Sequence, residues 1–221
     1  HGRIETTGYS SHGILAHSVG GGGGVGANGS VDTRTSIGLG VDVSGTNSSS
    51  GEGGTVTINQ NGILSTQGGD SIGILAQSIG GGGGVATSGD AVKFSNSGDV
   101  GNWRTLSVTA DYTMGFNRDS SINSVGGESI VHLGSANTSS VSTQGSWSHG
   151  IASQSIGGGG GKVGSIYGVY SNVNPELAVL LGAQQGNGDG GVATATMANQ
   201  STVSTTGHGS AGIIVQSIGG G

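Results

Sequence analysis

Residues 71–84 read S-I-G-I-L-A-Q-S-I-G-G-G-G-G, and this string decides the fold because it recurs along the chain. Residues 11–24 carry S-H-G-I-L-A-H-S-V-G-G-G-G-G, and residues 148–161 carry S-H-G-I-A-S-Q-S-I-G-G-G-G-G. A fourth copy, S-A-G-I-I-V-Q-S-I-G-G-G, occupies residues 210–221. Repetition of this kind indicates an array in which each repeat stacks on its neighbours.

The repeated unit extends upstream of the quoted string into a short segment with the pattern apolar-x-Thr-x-Gly. The resulting four blocks cover residues 4–24, 64–84, 141–161 and 203–221. The serines that begin the repeated string, at 11, 71, 148 and 210, lie 60, 77 and 62 residues apart, so the β-rich linkers between blocks vary in length. We therefore expect residues 1–221 to form a single elongated unit that is a fragment of a longer protein.

Composition narrows the possible classes of protein. The chain has 52 glycines, but only 8% of its residues are charged, and its apolar residues are mostly Ile, Val and Leu in short alternating runs. Disordered chains combine low hydrophobicity with high net charge, so an ordered β protein is favoured. The absence of cysteine excludes disulfides and thiolate metal sites. A net charge of −6 provides no basic stripe, so nucleic acid is not an expected partner.

Each block predicts a strand, a tight corner, a second strand and a glycine run. In G-x-x-S-x-G the two glycines predict positive φ at the corner, and the serine hydroxyl is expected to bond to the nearby backbone. Residues 74–79 place apolar side chains on both faces, which predicts a strand packed on two sides. The glycine run has the same length in three complete copies, which favours an ordered structure over a flexible linker.

The linkers also contain predicted strands. Residues 106–117 alternate for twelve positions, the strongest strand pattern in the chain. This stretch departs from the other linkers, and a protruding hairpin or an extra coil is expected there. Residues 175–181 could form a short helix, but an alignment of Leu181 with Leu39 and Leu133 favours a strand.

Short strands, glycine turns and the lack of helical patterns predict an all-β fold of the β-solenoid (parallel β-helix) class. At about 20–30 residues per coil, a block with its linker would form two or three coils. Equivalent residues in successive blocks would then lie roughly 10–15 Å apart. On this expectation Gln77, Gln154 and Gln216 do not touch one another.

No catalytic, metal-binding or cofactor-binding residues are predicted. The serines at 11, 71, 148 and 210 are interpreted as turn residues. His12 and His149 share a register with Ile72 and Ala211, so a solvent-facing or hydrogen-bonded role is favoured over metal ligation. Exposed aromatic residues on loops are plausible ligand contacts, and the candidates are Trp103, Trp147, Tyr167 and Tyr170.

The repeated string S-x-G-I-x-A-Q-S-I-G-G-G-G-G, preceded by apolar-x-Thr-x-Gly, resembles the glycine-rich repeats of large autotransporter passengers. These are type V secreted surface proteins of Gram-negative bacteria. The resemblance implies a right-handed parallel β-helix stalk, anchored in the outer membrane by a C-terminal barrel outside this fragment. It also implies display on the cell surface and suits a chain that lacks cysteine.

The first functional hypothesis is a non-catalytic adhesin segment that mediates attachment, autoaggregation or biofilm formation. Its partners would be a host or abiotic surface, a glycan, or like molecules on neighbouring cells, and lateral self-association is possible. One alternative is a receptor-binding tip with polyglycine-II packing, as in phage adhesins, and another is a β-helix enzyme that processes glycans. Turn or strand geometry at residues 80–84 favours the autotransporter, whereas polyglycine-II helices favour the tip.

Overall fold

The structure is a computed structural model that describes residues 2–21, 23–27, 36–44, 51–81, 83–87, 107–115, 124–134, 138–158, 160–163, 175–181 and 188–219. Every regular element within these ranges is a β-strand, and the strands fall into successive groups of five. The first group is Gly2–Thr6 (β1), Ile14–Val19 (β2), Gly23–Ala27 (β3), Ser36–Ser44 (β4) and Val56–Gln60 (β5). The second is Gly62–Thr66 (β6), Ile74–Ile79 (β7), Gly83–Thr87 (β8), Ser107–Gly115 (β9) and Ser129–Leu133 (β10).

The third group is Ser140–Thr143 (β11), Ile151–Ile156 (β12), Gly160–Val163 (β13), Pro175–Leu181 (β14) and Ala193–Met197 (β15). Thr202–Thr205 (β16) and Ile213–Ile218 (β17) begin a fourth group. We call these groups repeats 1 to 4. Each strand pairs in parallel with the strand five places later, which gives five parallel sheets in the described part of the chain.

The first sheet contains β1, β6, β11 and β16, and the second contains β2, β7, β12 and β17. The third, fourth and fifth sheets begin with β3, β4 and β5 respectively. The expected all-β class with parallel strands is confirmed, and the arrangement is consistent with a β-solenoid. The strands pair without a register slip between the blocks, so linkers of different length are accommodated outside the paired strands.

The expected two or three coils per block are wrong, because one repeat makes a single circuit of five strands. Equivalent residues are therefore neighbours in one sheet and lie one strand spacing apart, about 4.8 Å. Gln77 pairs with Gln154, and its Nε2 donates to the Gln154 Oε1 at 2.7 Å. Gln154 Nε2 donates in turn to Gln216 Oε1 at 2.5 Å. The three glutamines thus form a hydrogen-bonded column, contrary to the expectation that they do not touch.

The second sheet lies at the centre of the apolar core. In β7 all six side chains are buried, as the two-sided apolar pattern predicts. One face, including Ile74 and Ala76, joins the main core cluster with residues of the first and fifth sheets such as Leu64 and Val131. On the other face Leu75 packs with Ile72 and with equivalent residues of neighbouring repeats.

The linker segments join the sheets as regular strands. Residues 107–115 pair in parallel with β4 and β14, so the hairpin or extra coil expected there is wrong. Residues 175–181 form a strand, as favoured, but in a different register. Leu177 rather than Leu181 shares the register of Leu39, because both pair with Ala110, and Leu133 belongs to the fifth sheet.

The glycine run begins with a bend and ends in a strand. Gly21, Gly81 and Gly158 have φ of 80°, 85° and 80°, a left-handed conformation that glycine adopts without steric cost. The last two glycines of each five-residue run pair in the third sheet. Described residues on both sides of the central glycine therefore have turn or strand geometry, and the ordered structure expected for the run holds for them.

Serines of the second sheet are bonded to glycine pairs that precede the fifth sheet. Ser78 Oγ donates to Gly54 O at 2.8 Å and accepts from Gly127 N at 2.9 Å. Ser155 Oγ repeats this pattern one repeat further on, with Gly127 O at 2.6 Å and Gly191 N at 2.7 Å. The hydroxyls thus link each repeat to the next at backbone groups that the sheet ladders leave unpaired.

Candidate functional site: the serine corner

The exposed aromatic residues in the described part of the chain lie in the segment between the first and second sheets. It covers residues 7–13, 67–73, 144–150 and 206–212, and we call it the serine corner. The corner has the same length in all four repeats, so its residues form columns along the stack. A threonine side chain forms a hydrogen bond across the corner. Thr66 Oγ1 donates to Ser71 O at 2.8 Å, and Thr6 makes the same bond to Ser11 O at 2.6 Å.

The corner serines join adjacent repeats as well as bonding locally. Ser71 Oγ donates to Gly69 O at 3.1 Å, which is the local bond that the sequence predicts. It also accepts from Ser11 N and donates to Gly8 O, both at 3.0 Å and both in repeat 1. Ser71 N donates to Ser148 Oγ at 2.9 Å, so the same contact recurs between repeats 2 and 3. These serines replace backbone hydrogen bonds that parallel strands would otherwise make.

The predicted position of the left-handed backbone is wrong. Positive φ does not occur at the two glycines of G-x-x-S-x-G but at the residue before the serine, namely Ser10 (51°), Asp70 (57°), Trp147 (58°) and Gly209 (69°). The motif glycines are needed because the repeats approach closely. A Cβ on Gly73 would lie 2.5 Å from Gly150 O, and one on Gly13 would lie 2.7 Å from Gly73 O.

Trp147 is the sequence-predicted ligand contact that the structure describes, and it lies on the surface of the corner. Its side chain is 49% exposed, and its ring lies over the backbone of Gly209 in the next repeat. The His208 ring meets it edge-on, with centroids 6.1 Å apart and an interplanar angle of 81°. A bulky residue in the left-handed region costs of order 1–3 kcal/mol, which the surrounding contacts must offset. Trp103, Tyr167 and Tyr170 lie outside the described residues.

Tyr9 is a second exposed aromatic residue of the corner, and the sequence analysis missed it. It is 42% exposed, and its ring lies against Gly69 of repeat 2. An alignment of the corner columns would have found it, because Tyr9, Gly69, Ser146 and His208 share one column beside that of Trp147. Two aromatic side chains thus cover glycines of the following repeat at this corner.

Polar side chains are also exposed at this corner. Gln67 and Gln144 are exposed at the entry to the corner, and Gln67 Nε2 donates to Glu5 Oε1 at 3.1 Å. Glu5 also forms an exposed ion pair with Arg3 at 2.8 Å, which contributes little to stability. The corner segments themselves contain no lysine or arginine. The surface therefore offers amides and hydroxyls rather than a cluster of positive charge.

His12 and His149 of the corner are hydrogen-bonded, one of the two roles that the sequence favours. His12 Nδ1 accepts from Ile72 N at 3.0 Å, and His149 Nδ1 accepts from Ala211 N at 2.9 Å. Both imidazoles therefore satisfy backbone N–H groups of the next repeat. No group of three or more His, Cys, Asp or Glu residues in the described ranges could hold a metal ion.

His17 occupies the glutamine column of the second sheet. Burial lowers the pKa of His17 from its ordinary value of 6.5. Its Nδ1 and the Oε1 of the adjacent Gln77 are buried without hydrogen-bond partners. The column is thus complete from Gln77 upward and interrupted where histidine replaces glutamine.

No family model, curated protein or solved structure matches this chain. The part of the chain that the structure describes contains no helix long and apolar enough to cross a membrane.

Proposed function

We propose that this chain is a non-catalytic segment of a cell-surface fibre that mediates attachment, autoaggregation or biofilm formation. In this proposal the repeats form a right-handed β-solenoid, displayed on a Gram-negative cell in the manner of an autotransporter passenger. The repeated string and its resemblance to such passengers motivate the assignment. The observation that carries it is the strand pairing, in which each repeat stacks on the next in constant register.

Burial in this array depends on neighbouring repeats. Ile74 of β7, which is paired on both sides, has 0% exposure, whereas Ile213 of β17 has 41% exposure and is paired on one side. A structure stabilised by contacts between adjacent repeats grows along one axis and presents the same faces at regular intervals. Such a scaffold suits a stalk, because it projects a surface away from its anchor.

The glycine runs favour this proposal over a polyglycine-II tip. Gly81 has a φ of 85°, and residues 83–87 pair in a parallel sheet with strands of the adjacent repeats. A polyglycine-II bundle would instead contain extended helices of three residues per turn. A glycan-processing enzyme would need paired carboxylates on one face, and Asp70, which has 4% exposure, is the corner's one carboxylate.

Display of residues 1–221 on a non-adherent bacterium tests the proposal. Cells that display the chain should settle as aggregates or bind to glass and polystyrene, whereas cells with the anchor alone should not. Gly73→Leu, which prevents close stacking, is the control and should lose both activities at equal surface density measured by antibody labelling. A folded, displayed chain that produces neither aggregation nor attachment would contradict the adhesive function.

Deletion of the insert that contains β9 would not isolate a binding loop. Removal of residues 94–120 would delete β9 and thus the central strand of the fourth sheet. Loss of adhesion after that deletion would report a broken sheet as readily as a lost binding loop. Replacement of single exposed residues is therefore the sharper experiment.

A further inference from the structure

We propose that the serine corner binds an uncharged, extended β-linked polysaccharide, with Tyr9 and Trp147 contacting alternate sugar rings. This inference rests on the proposed function, because it names the class of molecule that the adhesive fibre would hold. It is carried by the exposure of the two rings, their spacing along the stack, and the exposed polar groups of the same corner.

Each ring is supported on one side and accessible to solvent. Tyr9 lies against Gly69 and is 42% exposed, and Trp147 lies over Gly209 and is 49% exposed. The edge contact with His208 further fixes the Trp147 ring. The C–H face of a pyranose packs on an aromatic ring as an apolar contact, while its hydroxyls stay at the rim. A fixed ring loses little conformational freedom when such a ligand binds.

The backbone conformation at Trp147 is one that disfavours tryptophan. The same column contains Ser10, Asp70 and Gly209, and all four residues have positive φ. Glycine adopts that conformation freely, whereas tryptophan is strained in it. The corner holds this conformation in every repeat, and Trp147 keeps a bulky ring there, with access to solvent, despite the strain.

The spacing of the rings selects an extended ligand. Tyr9 belongs to repeat 1 and Trp147 to repeat 3, so two strand spacings, about 10 Å, separate their backbones along the stack. In an extended β-1,4-linked polysaccharide every second ring presents the same face, and one disaccharide has a length of this order. The chain would lie parallel to the stacking axis.

Charge and polar groups select a neutral ligand. Gln67 and Gln144 are exposed in the same corner segments, and amides can both donate to and accept from sugar hydroxyls. Arg3, on the adjoining strand, is already paired with Glu5. The net charge of −6 and the absence of lysine and arginine from the corner disfavour an acidic glycan.

Native affinity electrophoresis of the 221-residue chain tests the assignment. Gels containing hydroxyethyl cellulose should retard the chain, whereas gels containing dextran, which is neutral and α-linked, or polygalacturonate, which is acidic, should not. Trp147→Gly and Tyr9→Gly copy the residues of the fourth and second repeats in their columns. Each should weaken retardation roughly ten-fold or more, the effect of removing an aromatic anchor.

The matched control is Ile63→Thr, which removes a side chain with 51% exposure from β6, outside the corner, and should leave retardation unchanged. Circular dichroism checks that each variant is folded. Trp147→Gly should fold, because glycine removes the backbone strain at this position. No retardation by hydroxyethyl cellulose, retardation by polygalacturonate alone, or unchanged retardation of folded Trp147→Gly would each overturn the inference. If displaying cells aggregate but hydroxyethyl cellulose does not retard the purified chain, the glycan site alone is refuted. If hydroxyethyl cellulose retards the chain but displaying cells neither aggregate nor attach, the adhesive function is refuted.

Discussion

A methyl group added at Gly73 tests the close stacking on which the fold depends. Its Cβ would lie 2.5 Å from Gly150 O, 2.6 Å from Val141 Cγ1 and 3.4 Å from Leu64 Cδ2. The carbonyl cannot retreat easily, because Gly150 O also accepts from Ile74 N at 2.9 Å. Gly73 does not have positive φ, so alanine is compatible with the local backbone and the clash alone decides the outcome.

Gly212 provides a matched control in the same column, because a Cβ there meets nothing within 4 Å. Overpacking against atoms that cannot move costs about 1–3 kcal/mol, and the backbone contact places Gly73→Ala at the upper end of that range. Gly212→Ala should be neutral or stabilising by about 0.4–1 kcal/mol, since alanine restricts the unfolded chain. The free energies of unfolding of the two variants should therefore differ by about 3 kcal/mol.

Urea unfolding followed by far-ultraviolet circular dichroism measures this difference in paired curves. Gly73→Ala should unfold at a lower urea concentration than the parent chain, and Gly212→Ala at the same or a higher one. Equal free energies of unfolding for the two variants would refute the argument, because they would mean that the repeats can separate at Gly73 without cost.

Two further variants test the columns of polar side chains. Ser71→Ala removes the acceptor of Ser11 N–H and should lower the free energy of unfolding in urea by about 1–3 kcal/mol. Ser146→Ala, at an exposed site, should change it by less than about 0.5 kcal/mol. Similar free energies of unfolding for the two variants would contradict the role of the serine column. Because burial lowers the pKa of His17 below 6.5, its contribution to stability is fully present above about pH 6.5 and is lost as the pH falls below that value. His17→Gln should flatten that acid loss and add about 0.5–1.5 kcal/mol by supplying a donor for Gln77 Oε1, and an unchanged pH profile would contradict the prediction.

The sequence predicted the elements well because their signals are local. The two-sided apolar pattern at residues 74–79 and the alternation at residues 107–115 both predict strands, and both segments are strands. Recurrent strings such as Q-S-I-G-G, which occurs in three of the four copies, identified the repeating unit for the same reason. The corner serines were recognised as turn residues because the motif keeps serine at one position in all four copies.

The number of strands per circuit could not be obtained in this way. Periodicity along the chain does not say whether Gln77 meets Gln154 or lies two coils from it, because that distance is set by which strands pair. The hydrogen bond at 2.7 Å follows from a pairing offset of 77 residues, which includes a linker with little similarity to the others. Likewise, glycine in G-x-x-S-x-G was assigned to positive φ, although the close approach of Gly150 O to Gly73 explains it instead.

A comparison of the four repeats column by column separates the positions that hold the stack together from the positions that display variable side chains. Some positions that touch the next repeat keep one residue type, as at Ser71 with Ser148, because a change there would disturb a bond in the adjoining repeat. The two columns before that serine contain Tyr9, Trp147 and His208 among small or acidic residues, and their side chains face solvent or cover a glycine. The corner backbone accommodates serine, aspartate, tryptophan and glycine at similar φ, between 51° and 69°, so the displayed side chain can vary without altering the stack. A stack of repeats built in this way can change the side chains that it displays at any repeat, while every repeat continues to support its neighbours.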